Sequence, residues 1–254
     1  MLPGDRPITM LPADAVETGK PSAWSSQAAL SFVVLFGIAN LFADTSYEGA
    51  RSVTGPFLGT LGASGLIVGT VAGLGELLGY TLRFISGRWA DRSRLYWSIT
   101  LLGYSVQMVA VPALAVAGNW PLAAALIVLE RVGRATRTSP RDVMLAQAGE
   151  GMGRGWAFGL NEALDQLGAM IGPLIIAAAL AWRQDFQVAF ALLALPAVVT
   201  LSVVFAARFI YPNAGRVVRR SQTVDQGRYP LGFWWYVIAA SLVGFGFADF
   251  SLLA

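Results

Sequence analysis

From Gln27 onward the chain is a succession of seven apolar stretches, at roughly 27–50, 56–82, 95–117, 120–140, 156–181, 187–209 and 231–254. Each approaches the ~20 residues that an α-helix needs to cross a hydrocarbon layer ~30 Å thick. Such a chain has a bilayer for its solvent, where each backbone N–H and C=O must be satisfied within its own helix. The surface arithmetic excludes a soluble body as well: 13% of the residues are charged and 56% hydrophobic, against about 25% charged in an ordinary globular domain. The expected fold is therefore all-α and integral to a membrane. The sixth and seventh stretches are uncharged over the spanning length, whereas the first, second, fourth and fifth carry ionisable side chains.

Residues 1–26 contain proline and charge but no apolar run that would serve a signal peptide, so they are predicted to form a disordered, exposed tail. Arginines fall unevenly between the stretches. Arg88, Arg92 and Arg94 lie between the second and third; Arg131, Arg134, Arg137, Arg141 and Arg154 between the fourth and fifth; Arg208, Arg216, Arg219, Arg220 and Arg228 between the sixth and seventh. The alternate connections hold only Arg51 and Arg183. Thirteen against two puts the tail and the basic connections in the cytoplasm. Residues 27–210 then form a six-helix bundle, 211–230 a basic cytoplasmic linker, and 231–254 the first helix of a second bundle. Trp24, Trp89, Trp97, Trp120, Trp182, Trp234 and Trp235 sit near span ends, where an amphipathic ring belongs.

The chain has no cysteine and no histidine, which removes the commonest transition-metal ligand, the usual general base and the thiol nucleophile. No G-x-x-x-x-G-K-[ST] phosphate loop and no H-E-x-x-H pair occur. The reading is of a protein that is not an enzyme and needs no metal or cofactor. A net charge of +3 on so apolar a chain implies no nucleic-acid partner.

A short string recurs. Phe42-Ala43-Asp44-Thr45-Ser46 in the first span is matched by Phe247-Ala248-Asp249-Phe250-Ser251 in the seventh. Both follow an apolar, glycine-containing approach and sit late in a span that starts on the cytoplasmic side. Two six-span halves related by an axis along the membrane normal produce such a parallel repeat. The expectation is a two-bundle protein of which this sequence covers the first bundle and one helix of the second; the alternative is a seven-helix protein complete as written.

Ionisable groups inside spans cost roughly 2.5–3.5 kcal/mol each at a helix centre, so they are paired, hydrated or functional. Asp44 and Glu48 are four apart on one helical face, with Arg51 three further on. They read either as a cation or proton site or as a polar cluster that ends the helix. Glu76 and Arg83, seven apart, share a face of the second span, in a structural pair or facing a solute. Glu162 and Asp165 are three apart on the fifth span; mutual repulsion favours proton uptake there, unless Glu162 lies near the surface and pairs with a loop arginine. Gly65, Gly69 and Gly73 repeat every four residues in the second span, a row that lets helix backbones approach closely in lipid.

The sequence Gly87-Arg88-Trp89-Ala90-Asp91-Arg92-Ser93-Arg94 after the second span resembles the G-x-x-x-D-R-x-G-R signature of the major facilitator superfamily of secondary transporters, without the glycine before the last arginine and one residue shorter. Gly168-x-x-x-Gly172-Pro173 in the fifth span is similar to a motif of its antiporter-type exporters, with Ile175-Ile176 in place of a downstream glycine pair. Arg134 to Ala146, RATRTSPRDVMLA, also looks like a broad bacterial branch of this superfamily. The resemblance implies a two-bundle transporter working by alternating access, with a small-molecule substrate, protons as coupling ion and a complementary carboxy-terminal bundle as partner. It further implies a cytoplasmic gate built from Asp91, Arg92 and Arg94, with Arg131 or Arg134 as the partner of Asp91. The competing reading is a non-transporting half that dimerises through its glycine rows as a membrane scaffold.

Overall fold

The structure, a computed structural model, describes residues 25–150, 152–215 and 231–246. Residues 1–24 of the expected tail, most of the basic linker and the second F-A-D-x-S string with Asp249 lie outside them. Nine α-helices and one 3-10 turn make up the described residues, with no strand among them. α1 (Ser26–Arg51) starts where Ser25 Oγ accepts from the Ala28 amide at 3.2 Å, capping one of the N–H groups that a helix start leaves unpaired. α2 (Thr54–Thr60) is a short turn of helix, separated by Gly62, with φ +86°, from α3 (Gly65–Ser93). α4 (Tyr96–Ala113) runs into a 3-10 turn at Leu114–Val116. α5 (Trp120–Ala148) is capped by Asn119, whose Oδ1 accepts from the Leu122 amide at 3.0 Å. α6 (Arg154–Arg183) is followed by α7 (Phe186–Leu192) and α8 (Ala194–Ile210), which make the sixth span in two pieces around Leu193. α9 (Leu231–Gly246) occupies the seventh apolar stretch.

Two expectations are corrected. The second span, placed at 56–82, is α3, which begins only at Gly65, after α2, and continues to Ser93, so Gly87–Arg94 forms the last two helical turns and the residue that ends them, not a loop. The fourth span, placed at 120–140, continues through Pro140 to Ala148. Arg131, Arg134, Arg137 and Arg141, counted as loop residues, are therefore on the helix, and they leave the inventory of orientation-setting loop charges. Charge marks a loop only when water is its sole available partner; here partners are supplied by neighbouring helices. By length and composition, five helical segments among the described residues can cross a membrane: Ser26–Arg51, Gly65–Ser93, Tyr96–Val116, Arg154–Arg183 and Phe186–Ile210. α5 is long enough as well but carries its stripe of charge.

α1 is the hub, packed along α6 on one side and α8 on the other, while α5 packs against α3 and α4. α1 and α6 are parallel, and their approach is set by two glycines: a Cβ at Gly168 would collide with the Leu41 carbonyl, and one at Gly172 with the Thr45 carbonyl. Apolar side chains gather in two clusters. One, around Phe32, Phe36, Trp97, Met144 and Val204, lies toward the start of α1; the other, around Phe57, Leu114, Ile127, Ile176 and Phe190, lies toward its end. Between them the helices bring polar side chains together. α3 stands apart: Gly65, Gly69 and Gly73, read as a packing row, have nothing within 4 Å of an added Cβ among the described residues. Leu66, Tyr80 and Phe84 on the same helix are exposed as well.

Candidate functional site

The polar layer is organised by α5. Glu130, Arg134, Arg137 and Arg141 recur at intervals of four, three and four, which is one face of an α-helix. Arg137 sits at its centre with 1% of its surface exposed. Its Nε donates to Gln107 Oε1 at 2.6 Å, and its Nη1 donates to Asn40 Oδ1 and to the Tyr104 hydroxyl, each at 3.0 Å. The guanidinium lies 4.3 Å from the Tyr104 ring centroid, and Nη2 is 3.6 Å from Asp44 Oδ1. Tyr104 in turn donates to Asn40 Oδ1 at 2.6 Å, Asn40 Nδ2 to Asn161 Oδ1 at 2.7 Å, and Gln107 Nε2 to Glu130 Oε1 at 3.0 Å. Side chains from α1, α4, α5 and α6 are thus joined in one buried network. The fork geometry of a guanidinium suits this task, because its donors point in several fixed directions.

One turn along α5, Arg134 is shared between two carboxylates, 3.7 Å from Asp44 Oδ2 and 3.7 Å from Glu48 Oε1, and stacks 3.9 Å from the Tyr47 ring centroid. Glu48 also lies 3.6 Å from Arg51. Asp44, Glu48 and Arg51 are therefore brought together as their spacing implied, with Arg134 added to them.

Along the α3–α5 seam the pairs are inter-helical. Glu76 is bonded to Arg131, whose side chain crosses α3 over Gly75. Arg83 reaches Asp142 at 3.3 Å, and Asp142 also takes two bonds from Arg141, at 2.7 and 3.0 Å. The Ser139 hydroxyl donates to the Arg83 carbonyl at 2.8 Å, and the Ser86 hydroxyl to the Ala135 carbonyl at 3.1 Å. Glu76 and Arg83, expected to share a face of α3, thus take their partners from α5 and not from each other. Gly87 lies where an added Cβ would come 3.3 Å from Ser139.

The end of α3 differs from the sequence expectation. Asp91 accepts from the Tyr96 hydroxyl at 2.9 Å, and Arg92 and Arg94 are exposed. Arg131 and Arg134, named as partners for Asp91, are committed to Glu76 and to Asp44 and Glu48 instead. The reason is length: with α5 extended to Ala148, both arginines lie in mid-span, turns away from Asp91. On α6, Glu162 is exposed and accepts from Gln166 Nε2 at 2.8 Å. Asp165, half-buried, lies against Asp44, Arg141 and Arg137. The two acids do not form one site.

Two small cavities adjoin the network. One, of about 20 Å³, is lined by Tyr47, Arg51, Thr54, Glu130 and Arg131; the other, of about 30 Å³, by Arg51, Thr54, Pro56, Val68 and Arg131. Each has room for a water and not for a solute. No group of three or more metal-ligating side chains converges among the described residues. Sequence reasoning missed Arg137, Glu130 and their partners Asn40, Tyr104, Gln107 and Asn161. The available signal was the four-three-four spacing of charge on α5.

The family model of the Major Facilitator Superfamily matches residues 25–254. The chain belongs to that superfamily. As a member of it the chain is an integral membrane protein of a transporter family. It is 41% identical over 240 residues to an uncharacterised protein of Mycobacterium tuberculosis, covering 92% of this chain and 57% of that one. It is 28% identical over 144 residues to an uncharacterised MFS-type transporter of Methanocaldococcus jannaschii, covering 56% of this chain and 36% of that one. This chain therefore spans little more than half the length of the mycobacterial relative. Among solved structures, the peptide transporter POT in complex with alafosfalin superposes with a TM-score of 0.66 at 18% identity, over 89% of this chain and half of that one. A complex of the same transporter with sulfate gives 0.62 at 19% identity, over 84% of this chain and 43% of that one. At such identities the likeness is one of fold, and it agrees with the helical bundle described above.

Proposed function

We propose that this chain provides the amino-terminal six-helix bundle, and the first helix of the second, of a secondary transporter that moves a small charged or zwitterionic solute by alternating access, coupled to protons. The observation that carries the reading is the buried charged network on α5. Charged groups within a bilayer are costly and mark solute, ion and proton pathways, and here Arg134 with Glu48 presents both signs of charge at the edge of the network. The bare faces of α3 and α6 suit one wall of a site that a second bundle completes. The fifth-span Gly168-x-x-x-Gly172-Pro173 favours export by antiport. The orientation proposed is amino-terminus in the cytoplasm, within an inner membrane.

The test is solute-driven proton movement by the full-length protein in liposomes carrying an internal pH dye. A zwitterionic or charged solute that collapses an imposed pH gradient supports the reading; a panel of such solutes that leaves the gradient untouched counts against it. The unpartnered α3 face also favours a second reading, a membrane scaffold without transport. Asp44→Asn and Asp91→Asn should then leave assembly intact while no flux is seen with any variant.

A further inference from the structure

α1 and α6 run side by side in one direction with a regular register. Gly37 meets Leu164, the Leu41 carbonyl meets Gly168, and the Thr45 carbonyl meets Gly172, each step being four residues on both helices. On the neighbouring row, Asn40 donates to Asn161 at 2.7 Å. Four residues further along both helices come Asp44 and Asp165. One turn therefore repeats the contact with carboxyl groups in place of amides.

The amide rung is satisfied, because one amide donates and the other accepts. The carboxyl rung is not. Asp44 Oδ1 and Asp165 Oδ1 are buried and have no hydrogen-bond partner, and they are the only two carboxyl oxygens of that kind among the described residues. The surrounding cations do not supply the missing bonds. Arg137 Nη2 stands 3.6 Å from Asp44 Oδ1, too far for a hydrogen bond. Arg134 is divided between Asp44 Oδ2 and Glu48, and Arg141 is bonded to Asp142. Tyr104 of α4 gives its hydroxyl to Asn40. α8, packed on the other side of α1, brings Thr200, and its arginine, Arg208, lies beside Trp97. Cations thus flank the rung, and neither orphaned oxygen receives a donor from them.

We infer that Asp44 and Asp165 form one proton site, in which a single proton bridges the two carboxyl groups. The O–H of one donates to the carboxylate oxygen of the other, which satisfies both orphaned oxygens and removes one negative charge from the rung. The bound proton is taken from water and returned to water, with no other group consumed. It belongs to the pair and not to either residue. The inference deepens the proton-coupled reading, on which its meaning for transport rests, by naming where the coupling proton is held.

Infrared difference spectroscopy of the full-length protein in lipid nanodiscs, between alkaline and acidic pH and without solute, tests this. A protonated-carboxyl C=O band is expected that Asp44→Asn and Asp165→Asn each remove entirely, since each amide provides the donor that the proton provided. Glu162→Gln, at an exposed acid, should leave it in place. Carbon-13 labelling of aspartate in the unmutated protein should shift the same band and needs no variant to fold. A band that survives either Asp→Asn change, or fails to shift with labelled aspartate, overturns the inference. So does a band that sodium, against choline, abolishes, because a metal cation would then be the occupant. Loss of flux with the band intact would count against transport and leave the proton site standing.

Discussion

Gly103 of α4 and Gly133 of α5 cross backbone to backbone. A Cβ at Gly133 would lie 2.8 Å from the Gly103 carbonyl oxygen and 2.6 Å from the Gln107 amide nitrogen, and one at Gly103 would lie 2.7 Å from the Gly133 carbonyl oxygen. This crossing brings Gln107 within 2.6 Å of Arg137. Gly133→Ala should therefore destabilise the protein by about 1–3 kcal/mol, the range for overpacking a rigid contact. Gly118→Ala, in the exposed connection before α5 where the added methyl meets nothing, should stay within about 0.5 kcal/mol. Thermal unfolding of the full-length protein in detergent checks both; equal midpoints for the two variants would refute the crossing.

Removing the guanidinium of Arg137 leaves Asn40, Gln107 and Asp44 facing an empty centre. Breaking a buried charge pair from one side costs about 3–5 kcal/mol, so Arg137→Met should lose most of its folded yield. Arg137→Lys should not rescue it, because one ammonium cannot reach acceptors on α1 and α4 together. Size-exclusion profiles of the two variants, compared at equal expression, decide the matter.

Glu130 accepts from Gln107 Nε2 through one oxygen. Glu130→Gln retains that acceptor and should keep stability within about 1 kcal/mol, whereas Glu130→Ala strands a buried amide donor at a cost of about 1–3 kcal/mol. Denaturation midpoints that fall equally for both would show that charge, and not the hydrogen bond, is what position 130 contributes.

These 254 residues hold no cysteine, so single thiols introduced into a cysteine-free background read the proposed orientation. Ser52 follows α1 and Arg92 ends α3, and both are exposed. In intact cells a membrane-impermeant maleimide should label Ser52→Cys, and it should label Arg92→Cys only after lysis. The reverse pattern would invert the topology.

Much of this architecture was legible before any coordinates. Hydropathy placed a helix under each of the seven stretches, five of them long and apolar enough to cross among the described residues, because the requirement for about 20 apolar residues is a matter of length and solvent, insensitive to packing. The ends were less legible where charge intruded. α5 was ended at Pro140 and its arginines were counted with the connection that follows, and only the three-dimensional neighbours Asp44, Gln107 and Tyr104 explain why Arg137 is not in water. Asp44, Glu48 and Arg51 were recognisable as a group from spacing on one helix. Asp44 with Asp165 was not, because their meeting depends on the α1–α6 register, which Gly168 and Gly172 set. The Gly65, Gly69 and Gly73 row was conspicuous in sequence yet touches nothing among the described residues, while the solitary Gly103 and Gly133 carry a backbone crossing. Repetition is visible in one dimension; a single close approach is not.

The charged face of α5 also bears on how the protein is made. With Glu130, Arg131, Arg134 and Arg137 in mid-span, α5 alone would enter lipid against several penalties of about 2.5–3.5 kcal/mol each. The groups that relieve them on α1, α3 and α4 all precede α5 in the chain, so they leave the ribosome first. Membrane insertion of the fourth span is thereby made conditional on the helices before it, and a nascent chain that mispositions α1 or α4 exposes an arginine-studded helix that quality-control proteases can recognise.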